Sequence, residues 1–281
     1  MLFPAQLYTT HRGINNTRLL SPRIWSQVGN SMLAPDGYSG GYFILDDFRG
    51  FGIGTAVTSN VGYYVGEAGT YYSFEDTGGA IAQLATERTG AVRLSVDADD
   101  NQETWLQYGN ATSVSSVIST TSGADKFLAF ECRFRPNDVV GNRFVGLAEE
   151  GAAANSFIAD DGLSIADKDY IGFYALEATP TVLNFGYKKA SQTAQLAITT
   201  AGTLAAATWI KVGFVYNPAA PPSRRLTVFV NNEENVTALT ATNLAAATFP
   251  NGEELSPIFG VKNVTDIMTQ DTDWFALYQA D

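Results

Sequence analysis

Apolar and polar residues alternate with a period of two along most of this chain, and two segments show it most cleanly. In Trp209–Tyr216, Ile210, Val212, Phe214 and Tyr216 fall on one face while Trp209, Lys211 and Gly213 fall on the other. In Arg225–Val230, Leu226, Val228 and Val230 alternate with Thr227 and Phe229. A period of two marks a strand with two unlike faces. Asn217, Pro218, Pro221 and Pro222 lie between the runs, which predicts an antiparallel pair joined by a loop.

The same pattern predicts strands from Gly40 onward. They run over Tyr42–Phe48, Tyr63–Val65, Thr70–Phe74, Ala80–Leu84, Val92–Val96, Glu103–Tyr108, Phe127–Arg135, Arg143–Leu147 and Ser156–Ile158. Tyr170–Leu176, Thr181–Tyr187, Ala194–Ile198, Ile258–Val261 and Trp274–Tyr278 complete the set. Clusters such as Asp76-Thr77-Gly78-Gly79, Asp99-Asp100-Asn101 and Pro136-Asn137-Asp138 separate them as turns. Phe127–Arg135 sets Leu128, Phe130, Cys132 and Phe134 against Glu131, Arg133 and Arg135, which predicts a sheet packed on one side and wet on the other. So many strands in one chain predict an all-β, two-sheet antiparallel jelly-roll sandwich over residues 41–281.

Residues 1–40 read differently. Leu2, Phe3, Leu7, Leu19, Leu20, Ile24, Trp25 and Val28 are scattered among polar groups without a sustained period, so the segment is expected to be an extended arm. Within it, Ser21-Pro22 fits a helix start, with Gly29 as its stop. So many large apolar groups must lie on something. Two seats are open: the arm's own domain, or a neighbouring protein. On the second reading, Arg12, Arg18, Leu19, Leu20, Arg23, Ile24 and Trp25 form a protein interface.

Charge narrows the partners. The net charge is −12, which argues against nucleic acid. Residues 1–35 hold Arg12, Arg18 and Arg23 and no acid, so the basic character is confined to the arm. No apolar run approaches the roughly 20 residues of a membrane helix. Met1-Leu2-Phe3-Pro4 lacks the basic start of a secretion signal, so export by that route is not expected. The single cysteine, Cys132, excludes an internal disulfide and falls on an apolar strand face, where it reads as a small buried hydrophobe.

The run from Thr203-Leu204 through Thr208-Trp209-Ile210-Lys211-Val212-Gly213-Phe214-Val215-Tyr216-Asn217, followed by Leu226–Val230 and Asn231-Asn232, resembles the concanavalin A-like superfamily in its laminin-G-like branch. There a tryptophan opens a strand and a later hairpin ends in an Asn-Gly turn. Here the turn is Asn-Asn, and asparagine also accepts left-handed backbone. Asp273-Trp274-Phe275-Ala276-Leu277-Tyr278 is similar to the closing strand of such domains. The acidic Ala/Thr/Gly-rich sandwich with its arm also resembles tailed-phage virion proteins that decorate heads or build fibres. That second resemblance implies a location on the capsid surface, with the major capsid protein and copies of this chain, as a homotrimer, for partners.

Candidate chemistry is sparse. Glycosidases of this superfamily carry carboxylates two and four residues apart on one strand, flanking the scissile bond. No strand here has that spacing, and Glu149-Glu150 are adjacent beside Gly151. The only histidine, His11, sits in the arm, and Gly50-Phe51-Gly52-Ile53-Gly54 reads as a flexible turn without the context of a phosphate loop. Enzymatic activity and a resident cofactor are therefore not expected. Calcium is the one ion worth weighing. Asp97, Asp99, Asn101 and Glu103 alternate like the start of an EF-hand loop but lack its glycine and closing glutamate, and Asp160, Asp161, Asp167 and Asp169 form a second acidic stretch. Tyr63-Tyr64 and Tyr71-Tyr72 each send one ring inward and one outward, which leaves two readings of an outward pair: ordinary strand packing or a subunit contact, and a platform for sugar, with Tyr64 or Tyr72 as its test position.

Two functions follow. The first is a non-enzymatic virion structural protein, a decoration or cement protein that holds the head surface through its arm and bridges capsomers. The alternative is a carbohydrate-binding, lectin-like module of a tail fibre or cell-surface protein.

Overall fold

A computed structural model describes residues 20–32, 41–58, 60–84, 90–109, 116–118, 126–235 and 241–280. The strands are β1 (Gly41–Asp46), β2 (Gly52–Thr58), β3 (Val61–Val65), β4 (Thr70–Glu75), β5 (Ala80–Gln83), β6 (Val92–Val96), β7 (Glu103–Tyr108), β8 (Ser116–Ile118) and β9 (Leu128–Pro136). They continue with β10 (Asn142–Ala148), β11 (Tyr170–Ala175), β12 (Val182–Lys188), β13 (Gln195–Thr203), β14 (Ile210–Tyr216), β15 (Leu226–Val230), β16 (Glu233–Glu234), β17 (Glu253–Lys262) and β18 (Met268–Ala280). Helix α1 (Pro22–Met32) precedes them, and a short helix, α2 (Ala241–Ala245), lies between β16 and β17.

Every strand pairing is antiparallel, and the strands form two sheets. An eight-stranded sheet runs β16-β15-β14-β9-β18-β6-β5, with β1 on the far half of β18. A ten-stranded sheet runs β13-β12-β11-β10-β17-β7-β4-β3-β2, with β8 on β17. Inward residues of both sheets make one core. Phe48 lies at its centre, within 6.2 Å of the rings of Phe51, Tyr71, Phe259 and Phe275. Cys132 is buried in the same core, as its place on the apolar face of β9 required.

The β14–β15 pair forms with Val212 opposite Val230 and Tyr216 opposite Leu226. Asn231 and Asn232 take φ of 50° and 71°, the left-handed pair that a tight turn demands. Two expectations change. Ser156–Ile158 is not a sheet strand; it belongs to residues 149–169, an insertion between β10 and β11 in which Ile158 makes a single bridge to Ile165. Of Gly50–Gly54, read as a turn, residues 52–54 belong to the edge strand β2, paired with β3 through two register shifts, one of them at Gly54.

Neither sheet has the fully wet outer face that alternation alone predicted. On the eight-stranded sheet, α1 covers Ala129, Val215, Phe229, Trp274 and Ala276, so Glu131 of β9 is buried rather than solvated, while Arg133 is buried against the Trp209 ring and Asp273. On the ten-stranded sheet, the insertion brings Ala152, Ala153, Phe157, Ile158 and Ile165 onto Phe74, Trp105, Phe144, Tyr170 and Ile258. Neighbouring Gly146, Gly172 and Gly186 leave room there for flat aromatic rings: a Cβ built on Gly172 would lie 2.7 Å from Cζ of Phe144, and one on Gly186 would lie 2.9 Å from Cε1 of Tyr174.

Candidate functional site

Within the segment expected as an arm, residues 22–32 are helical. Ile24, Trp25 and Val28 recur at helical spacing and bury on β9 and β14 of the same chain. The carbonyl of Ser21 accepts from the backbone N–H of Trp25 at 3.0 Å, so Ser21 stands where an N-cap stands. Its hydroxyl nevertheless has no partner. The anchor is Glu131, which accepts from the Ser21 N–H at 2.9 Å and from the Trp25 indole N–H at 2.6 Å, with the Lys211 ammonium 3.6 Å away. A buried carboxylate at a helix start also meets the positive end of the helix dipole. Burial pushes the Glu131 carboxyl above its usual range, against the pull of Lys211 and of these hydrogen bonds.

The expected interface residues thus separate. Ile24 and Trp25 are covered by their own domain, Leu20 is half-buried beside them, and Arg23 pairs with Glu233 on the surface at 3.0 Å. Arg12, Arg18 and Leu19 lie outside the described residues, as does His11.

Protein groups occupy parts of both acidic stretches. The Asn263 side chain reaches into the Asp97–Gln102 turn, donating to the carbonyls of Asp97 and Asp99 and accepting from the N–H of Gln102 at 2.8 Å. An amide thus supplies donors where a calcium loop would place its ion. Glu103 points away from that turn, toward Lys262. In the second stretch, Asp160 meets Lys262, Asp167 meets Lys188 and Asp169 accepts from the N–H of Ala190. Among the described residues no group of three or more His, Cys, Asp or Glu side chains is placed to hold a metal ion.

The tyrosines divide inward and outward as alternation predicts, but Tyr64 takes the inward place. It stacks on Phe51 at 4.9 Å and donates to Glu75 at 2.8 Å, beside the fully buried Tyr71. Tyr63 and Tyr72 are the outward pair. They sit opposite each other on β3 and β4, with ring centroids 5.7 Å apart and planes inclined by 58°. Tyr63 is 37% exposed and Val65, on the same face, is 47% exposed. Burial and the neighbouring Tyr63 raise the Tyr72 phenol above its ordinary pKa. Next to Tyr72 across the sheet stands Gln107, whose amide donates to the carbonyl of Glu149 at 2.7 Å and accepts from the N–H of Ala153 at 3.2 Å. Gln107 thereby fixes the rim of the insertion alongside the tyrosines, with Glu150 and Asn155 exposed on that rim.

No protein-family model matches the chain, and no curated protein matches it either. Solved structures do. A protein of unknown function from Shewanella oneidensis MR-1 superposes with a TM-score of 0.51 at 14% identity, over 93% of this chain and 95% of that one. The winged bean acidic lectin, solved with methyl-α-D-galactose, superposes with a TM-score of 0.50 at 10% identity, over 85% of this chain and 98% of the lectin. The fold is a concanavalin A-like jelly roll. At such identities the likeness concerns the fold alone, and a shared fold does not transfer a site.

Proposed function

We propose that this chain is a carbohydrate-binding module whose contact surface is the Tyr63–Tyr72 pair on the outer face of β3 and β4. The observation that carries the reading is a tilted aromatic pair, Tyr63 exposed and Tyr72 half-buried, set between half-buried Val61, exposed Val65 and the polar rim of the insertion. Phenol rings offer flat apolar faces to the C–H groups of a sugar ring and hydroxyls to its polar edge. A pair needs no metal to do this. Binding without turnover is the simpler reading of the same face. Its outward positions on β7 are Glu103, Trp105 and Gln107, and the one carboxylate among them is covered by the insertion.

The test is electrophoretic retardation in gels containing neutral polysaccharides. The protein should be retarded by at least one of them, and Tyr63→Ala with Tyr72→Ala should run as in a plain gel. Retention unchanged by both substitutions would sink the reading.

A second reading is supported by charge: the basic, acid-free stretch 1–35 on an otherwise acidic chain favours attachment to a larger assembly such as a virion head. With Ile24 and Trp25 committed in cis, such attachment would fall to Arg12, Arg18 and Leu19. Removal of residues 1–19 should then abolish attachment and leave sugar retention intact. Attachment that survives the truncation would exclude it.

A further inference from the structure

Beneath the insertion, three ionisable side chains that are far apart in sequence meet on the ten-stranded sheet. Lys262 ends β17 with its side chain wholly buried. Its ammonium lies 2.6 Å from Oδ1 of Asp160, 2.8 Å from the carbonyl of Ile158 and 3.9 Å from Oε1 of Glu103. Glu103 is itself fully buried. It accepts from the Trp105 indole N–H at 2.8 Å and from the backbone N–H of Ser156. The Ser156 hydroxyl donates in turn to Oδ1 of Asp160 at 3.4 Å. Trp105 and Phe157, edge to face at 4.9 Å, belong to the apolar cluster around this group. Other lysine–carboxylate pairs differ: Lys168–Glu149 and Lys189–Glu253 are open to water on both sides, Lys211 stands 3.6 Å from Glu131, which is already committed to α1, and Lys188–Asp167, at 3.0 Å, joins a partly exposed lysine to an exposed carboxylate.

We propose that Lys262 and Asp160 condense into an intramolecular amide, with Glu103 as the proton carrier. The Lys262 nitrogen attacks Cγ of Asp160, a C–N bond forms, one C–O bond breaks, and the oxygen leaves as water. From ammonium and carboxylate, the balance is one amide and one water, with no oxidant or co-reactant. Glu103 first takes a proton from the Lys262 ammonium and hands it to the Asp160 carboxylate, which frees the nitrogen lone pair and makes a neutral acid. After the attack Glu103 takes the second proton from nitrogen and returns it to the departing hydroxyl. Burial, opposed by Lys262 and the hydrogen bonds, raises its carboxyl to about 7, where one group serves as base and then as acid. The Ile158 carbonyl orients the nitrogen, and the Ser156 hydroxyl steadies the charge that develops on the carboxyl oxygen. Amide formation from a free amine and acid is unfavourable in dilute water, but fixed contact at 2.6 Å replaces a bimolecular encounter with an intramolecular one. Asp160 is 68% exposed on its outer side, which gives the released water a way out. The bond ties the insertion to β17 in a chain whose one cysteine cannot make an internal disulfide.

The experiment is intact-mass spectrometry of the full chain, folded, incubated at neutral pH and then denatured. The mass should be lower than the sequence mass by one water, and digestion should yield a branched peptide containing both Asp160 and Lys262. Lys262→Arg, Asp160→Ala and Glu103→Gln should each restore the full mass. Asp160→Asn should still condense, losing ammonia in place of water. Full sequence mass in the folded wild-type protein overturns the proposal. So does a water loss confined to a linear peptide, which would place it at a cyclised Asp161-Gly162. A branched peptide that persists in Glu103→Gln overturns the role of Glu103.

Discussion

The seat of α1 makes a demanding quantitative prediction, because Glu131 and Lys211 are both about 1% exposed and face each other across it. Removing one member of a buried pair leaves the other charged and desolvated, which costs about 3–5 kcal/mol. Glu131→Met should therefore destabilise by about that much, and the Trp25 and Ser21 N–H groups would be orphaned as well, at about 1–3 kcal/mol for each buried unsatisfied donor. Lys211→Met should cost a similar amount, since it strands the carboxylate. The double variant strands neither member of the pair, so the orphaned donors are the main remaining loss. Its loss should fall several kcal/mol short of the sum of the single losses, in the manner of buried pairs replaced by apolar residues. Urea denaturation followed by tryptophan fluorescence reads this directly, with the m-value checking two-state behaviour. Single losses that simply add would mean that the pair is not coupled through the α1 seat, and the reasoning would fail.

Three further outcomes follow from the geometry. Asp271 is buried and accepts from Arg93 at 2.7 Å and Arg135 at 2.5 Å; burial alone would raise its pKa, but these bonds hold it below the usual value. Its contribution is therefore present above the unfolded pKa and lost as pH falls through the depressed folded value, so Asp271→Asn should flatten the acid limb of a stability–pH curve and lower stability at neutral pH. Gly260→Ala should destabilise by about 1–3 kcal/mol in thermal melts, because a Cβ there runs into the Trp105 ring and the Thr104 carbonyl. Cys132 is fully buried and its thiol is pushed well above the ordinary value by that burial and by Glu131 and Asp273, so it should resist a thiol reagent until the protein unfolds.

Strands were legible because each carries its own evidence. Period-two alternation at β9, β14 and β15 fixed which residues face the core, and it placed Cys132 inside. What covers the outer faces was not legible, because it depends on segments remote in sequence. Glu131 reads as a solvated charge until α1 arrives from residue 22, and the helix runs through Gly29 because Ile24, Trp25 and Val28 hold it on the sheet. Tyr63-Tyr64 shows that one ring turns inward but not which, since the phase is set by pairing with β4 and by the Glu75 partner of Tyr64. The Glu103–Lys262–Asp160 meeting joins three elements that no local spacing connects. In the sequence Glu103 and Asp160 stand out only as members of two acidic stretches, and Lys262 only as a lone charge ending the apolar run Ile258–Val261.

The central claim is that the tyrosine face of β3 and β4 is the working surface of this jelly roll. Amide chemical-shift mapping with a panel of neutral oligosaccharides tests it most directly. Saturable shifts confined to residues 61–65, 70–74 and the adjoining 149–155 rim are the predicted result. A panel that shifts nothing, or shifts that cluster on another part of the sandwich, would contradict it.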